Sequence, residues 1–304
     1  MVKLLISDPI AEEGIEKLED AGFDLDHKYD LSADELKQEI GEYAGIVVRS
    51  ATKLRAPILD EADNLEIIVR AGVGLDNIDL DHADELGIKV QNTPEASSNS
   101  VAELALGHMF SLARDISRGT ASLKEQKWIK GELTGTELSG KTLGVIGVGR
   151  IGSLVAQKGT ALGMDALGYD KYVDEAPVEE LEMVDMDALL SSSDYVTLHI
   201  PFLESEGATI GEAELKQMKD SACLINCARG GVVDEAALTQ ALKNDWIGGA
   251  GVDVFTEEPP ENAELLSFDN LSLTPHLGAS TVEAQRRVGT QTADELIEFF
   301  GKEG

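Results

Sequence analysis

A chain of 304 residues is long enough for two domains, each burying its own core. Its 57 acidic and 25 basic residues leave a net charge of −32, which repels nucleic acid and anionic membrane, so neither is expected as a partner. Hydrophobic residues make up 42% and aromatics only 5%; with 30 glycines this suits an α/β protein with tight βα turns better than an aromatic-rich sandwich.

The first apolar run, from Met1 to Asp8, is too short for a signal peptide, and no segment approaches ~18 apolar residues. A soluble, cytoplasmic protein is the expectation. Short β-branched runs follow at Lys3–Ser7, Gly45–Arg49, Leu65–Ala71 and Ile88–Gln91, with amphipathic stretches such as Ala11–Ala21 and Ala33–Tyr43 between them. This alternation predicts a parallel sheet covered by helices. The acids coat these helical stretches evenly (Glu12, Glu13, Glu16, Glu19; Asp34, Glu35, Glu39) and do not gather in a tail. An even coat reads as adaptation to high salt, where screening relieves self-repulsion. An ordinary acidic cytosolic protein is the other reading.

Asn92–Ser100 is rich in turn formers and caps and joins two series of elements. An apolar helix is expected from Val101 to about Ile116, then a polar, extended excursion over Gly119–Ser139. Six further strands are expected at Thr142–Gly147, Asp165–Tyr169, Tyr195–Ile200, Ala222–Ala228, Gly249–Val254 and Leu271–Thr274, which make a complete doubly wound domain. Cys223 and Cys227 would lie on one face of a strand about 13 Å apart, beyond disulfide reach, and read as small buried hydrophobes. A last helix over Thr281–Phe300 is expected to return to the first domain. The domains are therefore placed at 1–97 with 281–304, and at 98–280.

Gly147, Gly149 and Gly152 form a G-x-G-x-x-G motif that follows a strand and opens a helix. The first glycine permits the turn, the second admits a pyrophosphate, and the third lets helix and strand pack. Arg150 and Ile151 lie inside the motif, where amides of the helix start face the phosphates. The next strand ends at Asp170, a carboxylate suited to both ribose hydroxyls and repelling a 2′-phosphate, so NAD is preferred over NADP. Lys171 beside it softens that preference. No metal site is expected.

Ligands of open parallel sheets sit outside the carboxyl ends of the strands. Those ends carry Gly147, Asp170, His199, Arg229, the Asp253–Glu258 loop and His276. Oxidising a hydroxy acid needs a cation for the carboxylate, which Arg229 supplies, and a base for the hydroxyl proton, which His276 supplies. Glu258 on the second imidazole nitrogen would orient the ring. Each also has a plainer reading: Arg229 as a partner of surface acids, Glu258 as part of an acidic loop, and His276 as a turn residue.

The segments Gly147–Gly152, Asn226–Glu235, Gly251–Pro260 and Thr274–Thr281 resemble signatures of the D-isomer-specific 2-hydroxyacid dehydrogenases, and the resemblance covers essentially the whole chain. It implies an NAD-binding Rossmann domain inserted into a flavodoxin-like substrate domain, both doubly wound α/β folds. It implies that Arg229 binds substrate and that Glu258 and His276 form the acid–base couple. Asp253 is implied at the nicotinamide carboxamide, with His199, Cys227, Ala228, His276 and Gly278 near the cofactor. In the first domain, Arg49 with Ser50 is implied at a substrate phosphate. Val73 and Gly74 would donate amides to the carboxylate, and Asn77 would brace their turn.

The branch most like this chain oxidises D-3-phosphoglycerate to 3-phosphohydroxypyruvate with NAD, the entry to serine synthesis. Glyoxylate/hydroxypyruvate reduction and D-lactate-type oxidation share the same trio. Formate dehydrogenases of the superfamily carry Gln at the Glu258 position. An NADH-sensing corepressor is the reading from another class, disfavoured by the intact trio and the anionic surface. Closure of two lobes over the substrate is expected. A homodimer is implied, through the helix at Val101–Ile116 and the excursion after it, with His108 a packing or interface residue. Members of this branch often carry a C-terminal serine-binding domain, and serine feedback is expected to be absent from residues 1–304.

Overall fold

The computed structural model describes residues 1–301. In chain order it has β1 (Lys3–Ile6), α1 (Glu12–Asp20), β2 (Asp24–His27), α2 (Ala33–Glu39), β3 (Gly45–Val48), α3 (Ala56–Leu59), β4 (Ile67–Arg70), α4 (Leu80–Glu85) and β5 (Lys89–Asn92). Then come α5 (Ser98–Ala113), α6 (Ile116–Lys124), β6 (Thr142–Ile146), α7 (Arg150–Ala161), β7 (Asp165–Tyr169), β8 (Leu181–Met183), α8 (Met186–Ser192) and β9 (Tyr195–Leu198). The chain continues with α9 (Glu212–Gln217), β10 (Cys223–Asn226), α10 (Glu235–Lys243), β11 (Gly249–Val252), β12 (Leu271–Leu273) and α11 (Val282–Phe299). Two compact units result, one from Met1–Ser97 and the stretch from Ala279 onward, the other from Ser98–Gly278.

The first unit has a five-stranded parallel sheet in the order β2-β1-β3-β4-β5, the flavodoxin-like order. Its strands are covered on both faces. Leu5, Ile46 and Ile68 face one core, while Leu4, Ile6, Val47, Ile67 and Val69 face the other with Val288 and Leu296 of α11. That period-two division is what buried parallel strands require. Helices α1 and α11 meet where Gly14 and Gly289 approach; a Cβ on Gly14 would lie 2.4 Å from the Gly289 carbonyl oxygen.

The second unit has a seven-stranded parallel sheet, β12-β11-β10-β9-β6-β7-β8. The order in which strands are added reverses between β6 and β9, so the crevice beyond their carboxyl ends is the ligand position for this architecture. One face buries Val196, Leu198 and Leu224, the other Leu143, Val145 and Ile225.

Three expectations need correction. Strands β2 and β8 were not anticipated: both are edge strands carrying acids (Asp24, Asp26; Glu182), and an edge strand needs no apolar run. The helix expected to reach Ile116 ends at Ala113, because Asp115 takes a left-handed conformation (φ +50°). The polar excursion is not extended throughout, since it begins within a second helix, α6. Burial pushes the Cys223 thiol up to about 12 and the Cys227 thiol up as well, which keeps both protonated.

Candidate active site

The glycine loop sits at the switch point of the second sheet. Gly147 has φ +89°, and a Cβ there would lie 2.5 Å from the His199 carbonyl oxygen, so the ends of β6 and β9 touch through hydrogen alone. A Cβ on Gly152 would lie 2.0 Å from the Gly147 carbonyl oxygen, which is the close helix–strand packing the motif provides. Gly149 faces open space, an approach path for phosphate oxygens at the start of α7. Arg150 and Ile151 open that helix. Asp170 accepts from the Val148 amide at 3.1 Å and the Tyr172 amide at 2.9 Å, which turns its carboxylate across the loop. A glycine cradle, an open helix start and a carboxylate on the neighbouring strand fit a dinucleotide.

His199 ends the neighbouring strand. Its Nε2 meets Thr197 Oγ1 at 3.0 Å, its Nδ1 is buried without a partner among the described residues, and burial lowers its pKa to about 3. The ring is therefore neutral, with one polar atom unpaired in the interior.

Arg229 follows β10. Asn226 clamps its loop, donating to the Arg229 carbonyl at 3.0 Å and accepting from the Ala228 amide at 3.1 Å, while Arg229 Nη1 donates to the Ala228 carbonyl at 2.7 Å. Cys227 and Ala228 are buried beneath it. A Cβ on Gly230 would lie 1.9 Å from the Phe255 carbonyl oxygen, so the Arg229 loop lies against the loop that leads to Glu258. The Phe255 amide in turn donates to Glu258 Oε1 at 3.2 Å.

Glu258 meets His276 Nδ1 through both carboxylate oxygens, at 2.8 and 3.0 Å. A carboxylate accepts, so Nδ1 is the nitrogen that carries the proton in this pair, and in the neutral imidazole the lone pair is then on Nε2. His276 itself is held at φ +54°, a strained conformation for this residue type. Its amide donates to the Asp253 carbonyl at 2.8 Å, and the fully buried Asp253 carboxylate accepts from Thr274 Oγ1 (2.6 Å), the Leu277 amide (2.7 Å) and the Gly278 amide (2.9 Å). Asp253 thus secures both sides of the His276 turn.

Beneath Thr274 lies His108 of α5, whose Nε2 is 3.1 Å from Thr274 Oγ1 and whose Nδ1 is 2.9 Å from Ser272 Oγ. Because Thr274 gives its proton to Asp253, the hydroxyl accepts from His108 Nε2–H, and His108 Nδ1 accepts from Ser272. Burial lowers the pKa of His108, in keeping with this neutral tautomer.

In the first unit Arg49 follows β3. Its amide donates to Asp8 Oδ2 at 2.5 Å, and the Thr52 amide reaches the same oxygen at 3.3 Å. From the other side Asn77 donates to the carbonyls of Arg49 (2.7 Å) and Thr52 (2.6 Å). Asn77, expected to brace its own turn, braces the Arg49 loop instead. Ser50 points outward, and the amides of Val73 and Gly74 donate to no acceptor among the described residues. The Val73 carbonyl is held by Asn92 at 2.6 Å.

Residues 106–278 match the family model of the D-isomer specific 2-hydroxyacid dehydrogenase NAD binding domain. The chain is 46% identical over 299 residues to a D-3-phosphoglycerate dehydrogenase of Methanocaldococcus jannaschii, covering 97% of this chain and 57% of that one. It is also 46% identical over 302 residues to a hydroxypyruvate reductase of Thermotoga maritima, covering 97% of each. This chain belongs to the D-isomer specific 2-hydroxyacid dehydrogenases. It spans just over half the length of the phosphoglycerate dehydrogenases it resembles. The structure of a D-lactate dehydrogenase of Aquifex aeolicus, complexed with NAD and lactic acid, superposes with a TM-score of 0.84 at 31% identity and covers 98% of this chain and 95% of that one.

As a dehydrogenase of this family the chain takes NAD(H) in its second unit. Sequence reasoning missed Asn226, Thr274 and Asp8 as loop clamps. Asn226 and Thr274 lie inside the recognised segments, but a hydrogen-bonding partner is not readable from sequence spacing. Asp8, directly after the first strand, had only its position at a strand end to mark it. Among the described residues no helix is long and apolar enough to cross a membrane.

Proposed function

We propose that the chain oxidises D-3-phosphoglycerate to 3-phosphohydroxypyruvate, with Arg229, Glu258 and His276 as its catalytic residues. The observation that carries this is the Glu258–His276 pair, which leaves Nε2 as a base beside an arginine-bearing loop. NAD, when bound at the glycine loop, supplies the hydride acceptor. His276 Nε2 removes the hydroxyl proton, and Glu258 stabilises the imidazolium that forms. Arg229 holds the carboxylate and polarises the reacting oxygen.

In this reading Asp170 binds the adenosine ribose, and His199, Cys227, Ala228, Asp253 and Gly278 line or support the cofactor site. The first unit acts as the substrate domain: Val73 and Gly74 amides receive the carboxylate, Asn77 fixes the loop, and Arg49 with Ser50 meets the phosphate. The test is NADH formation from a panel of D-2-hydroxy acids in molar KCl. Oxidation of D-lactate or D-glycerate in preference to the phosphorylated acid would overturn the substrate assignment.

A second reading, hydroxypyruvate reduction, is supported by the Thermotoga relative, 46% identical to this chain, whose name states that activity. The same panel run with NADH and hydroxypyruvate separates the two. We further infer a cytoplasmic homodimer adapted to high salt. Phe110 on α5, Ile116 and Leu123 on α6 and Trp128 after it are exposed large apolar residues, which supports an interface along this stretch. A monomer by light scattering would refute the dimer, and a melting temperature that does not rise with KCl would refute the salt adaptation.

A further inference from the structure

The first unit holds a cavity of about 490 Å³ lined in part by Ala11, Glu13, Arg49, Ser280, Gln285 and Arg286. It lies at that sheet's own switch point, since Arg49 follows β3 while Ala11 and Glu13 lie in the segment after β1. Ligands of open α/β sheets bind at such points. Two arginines line this one cavity in a chain with 57 acids and only 25 bases. Among the described residues, the Arg49 guanidinium touches only the Pro9 carbonyl, at 3.4 Å through Nη1. Among the same residues the Arg286 guanidinium engages only Glu13, at 2.6 Å through Nε. Each fork therefore keeps most of its donors.

Fold stability does not account for this arrangement. The Arg286 and Glu13 side chains are 61% and 42% exposed, so water screens the pair and its contribution to folding is small. Two arginines with unused donors facing one cavity are suited to an oxyanion with several acceptor oxygens, which a phosphate monoester presents and a bare hydroxyl does not.

We propose that Arg286 determines specificity by forming, with Arg49, a phosphate-monoester subsite in this cavity. The proposal rests on the hydroxyacid reading above and adds that the first unit selects phosphorylated over unphosphorylated acids. Glu13 competes with the phosphate for Arg286 and repels its charge, so the two residues act with opposite sign.

The test is calorimetric titration of the full chain, saturated with NADH in molar KCl, with 3-phosphoglycerate and separately with glycerate. Arg286→Ala is expected to weaken 3-phosphoglycerate binding roughly ten- to a hundredfold and to leave glycerate within about twofold. Arg286→Lys restores part of the loss, because the charge returns without the fork. Glu13→Gln tightens 3-phosphoglycerate binding. Equal losses for both ligands, unchanged 3-phosphoglycerate affinity in Arg286→Ala, or weaker binding in Glu13→Gln would each overturn the subsite. So would a wild-type chain that binds 3-phosphoglycerate no better than glycerate. A chain that binds 3-phosphoglycerate selectively through Arg286 without oxidising it keeps the subsite and refutes the proposed reaction. A chain that oxidises 3-phosphoglycerate with Arg286 irrelevant does the reverse.

Discussion

Each unit uses a buried aspartate just past a strand to hold a working loop, but the two aspartates hold unequal loads. Asp253, after β11, accepts from three groups and fixes a turn that places His276 in a strained conformation. Asp8, after β1, accepts from two amides and fixes a loop around Arg49 with no such strain. An asparagine completes each clamp, Asn226 beside Arg229 and Asn77 beside Arg49. The difference follows from the work proposed for each loop. A base that must meet one hydroxyl needs a fixed ring, whereas a cation that meets a phosphate tolerates more freedom.

The largest effect that probes this contrast is expected at the base itself. His276→Ala should lower kcat by roughly two to four decades while NADH affinity, read by fluorescence, stays within about twofold. A near-normal rate would move the chemistry away from the dyad and remove the reason for the stiffer clamp.

The two aspartates come next. Asp253→Ala removes the buried acceptor of three donors and should cost about 2–4 kcal/mol in chemical denaturation, with kcat falling because the His276 turn relaxes. Asp8→Ala strands fewer donors and should cost about 1–2 kcal/mol, raising KM for the acid while kcat holds. Equal kcat losses in the two variants would break the comparison.

Gly149 and Gly152 sharpen it within one loop. A Cβ at Gly149 meets nothing, so Gly149→Ala should fold with an unchanged melting temperature yet weaken NADH binding by about tenfold, through crowding of the pyrophosphate approach. Gly152→Ala should instead melt early, since its Cβ would strike the Gly147 carbonyl.

A further effect appears only in acid. His199 and His108 are held neutral by burial, so the unfolded chain takes up protons first as the pH drops below about 6.5. Their folded pKa values are lowered, so stability is full above that pH and falls below it, towards the His199 value of about 3. Urea midpoints should decline on acidification, and His199→Gln should flatten that decline. An acid limb as steep in the variant would show that other groups govern it.

By itself the amino-acid sequence determined the βα alternation, the glycine cradle, the residues at the carboxyl ends of the second sheet and the family. Those features are local: a strand, a turn and a helix start are neighbours in the chain, and their residue types are set by backbone geometry and apolar periodicity. Edge strands β2 and β8 were lost to the same logic, because half-exposed acidic strands lack that periodicity. Only the tertiary structure decided that Asp253 carries the His276 turn, that His108 supports Thr274 across more than 160 residues, that Asn77 clamps the Arg49 loop, and that Arg286 shares a cavity with Arg49. Those are pairings between segments distant in sequence, and hydrogen-bond donors and acceptors leave no periodic trace by which such partners are found.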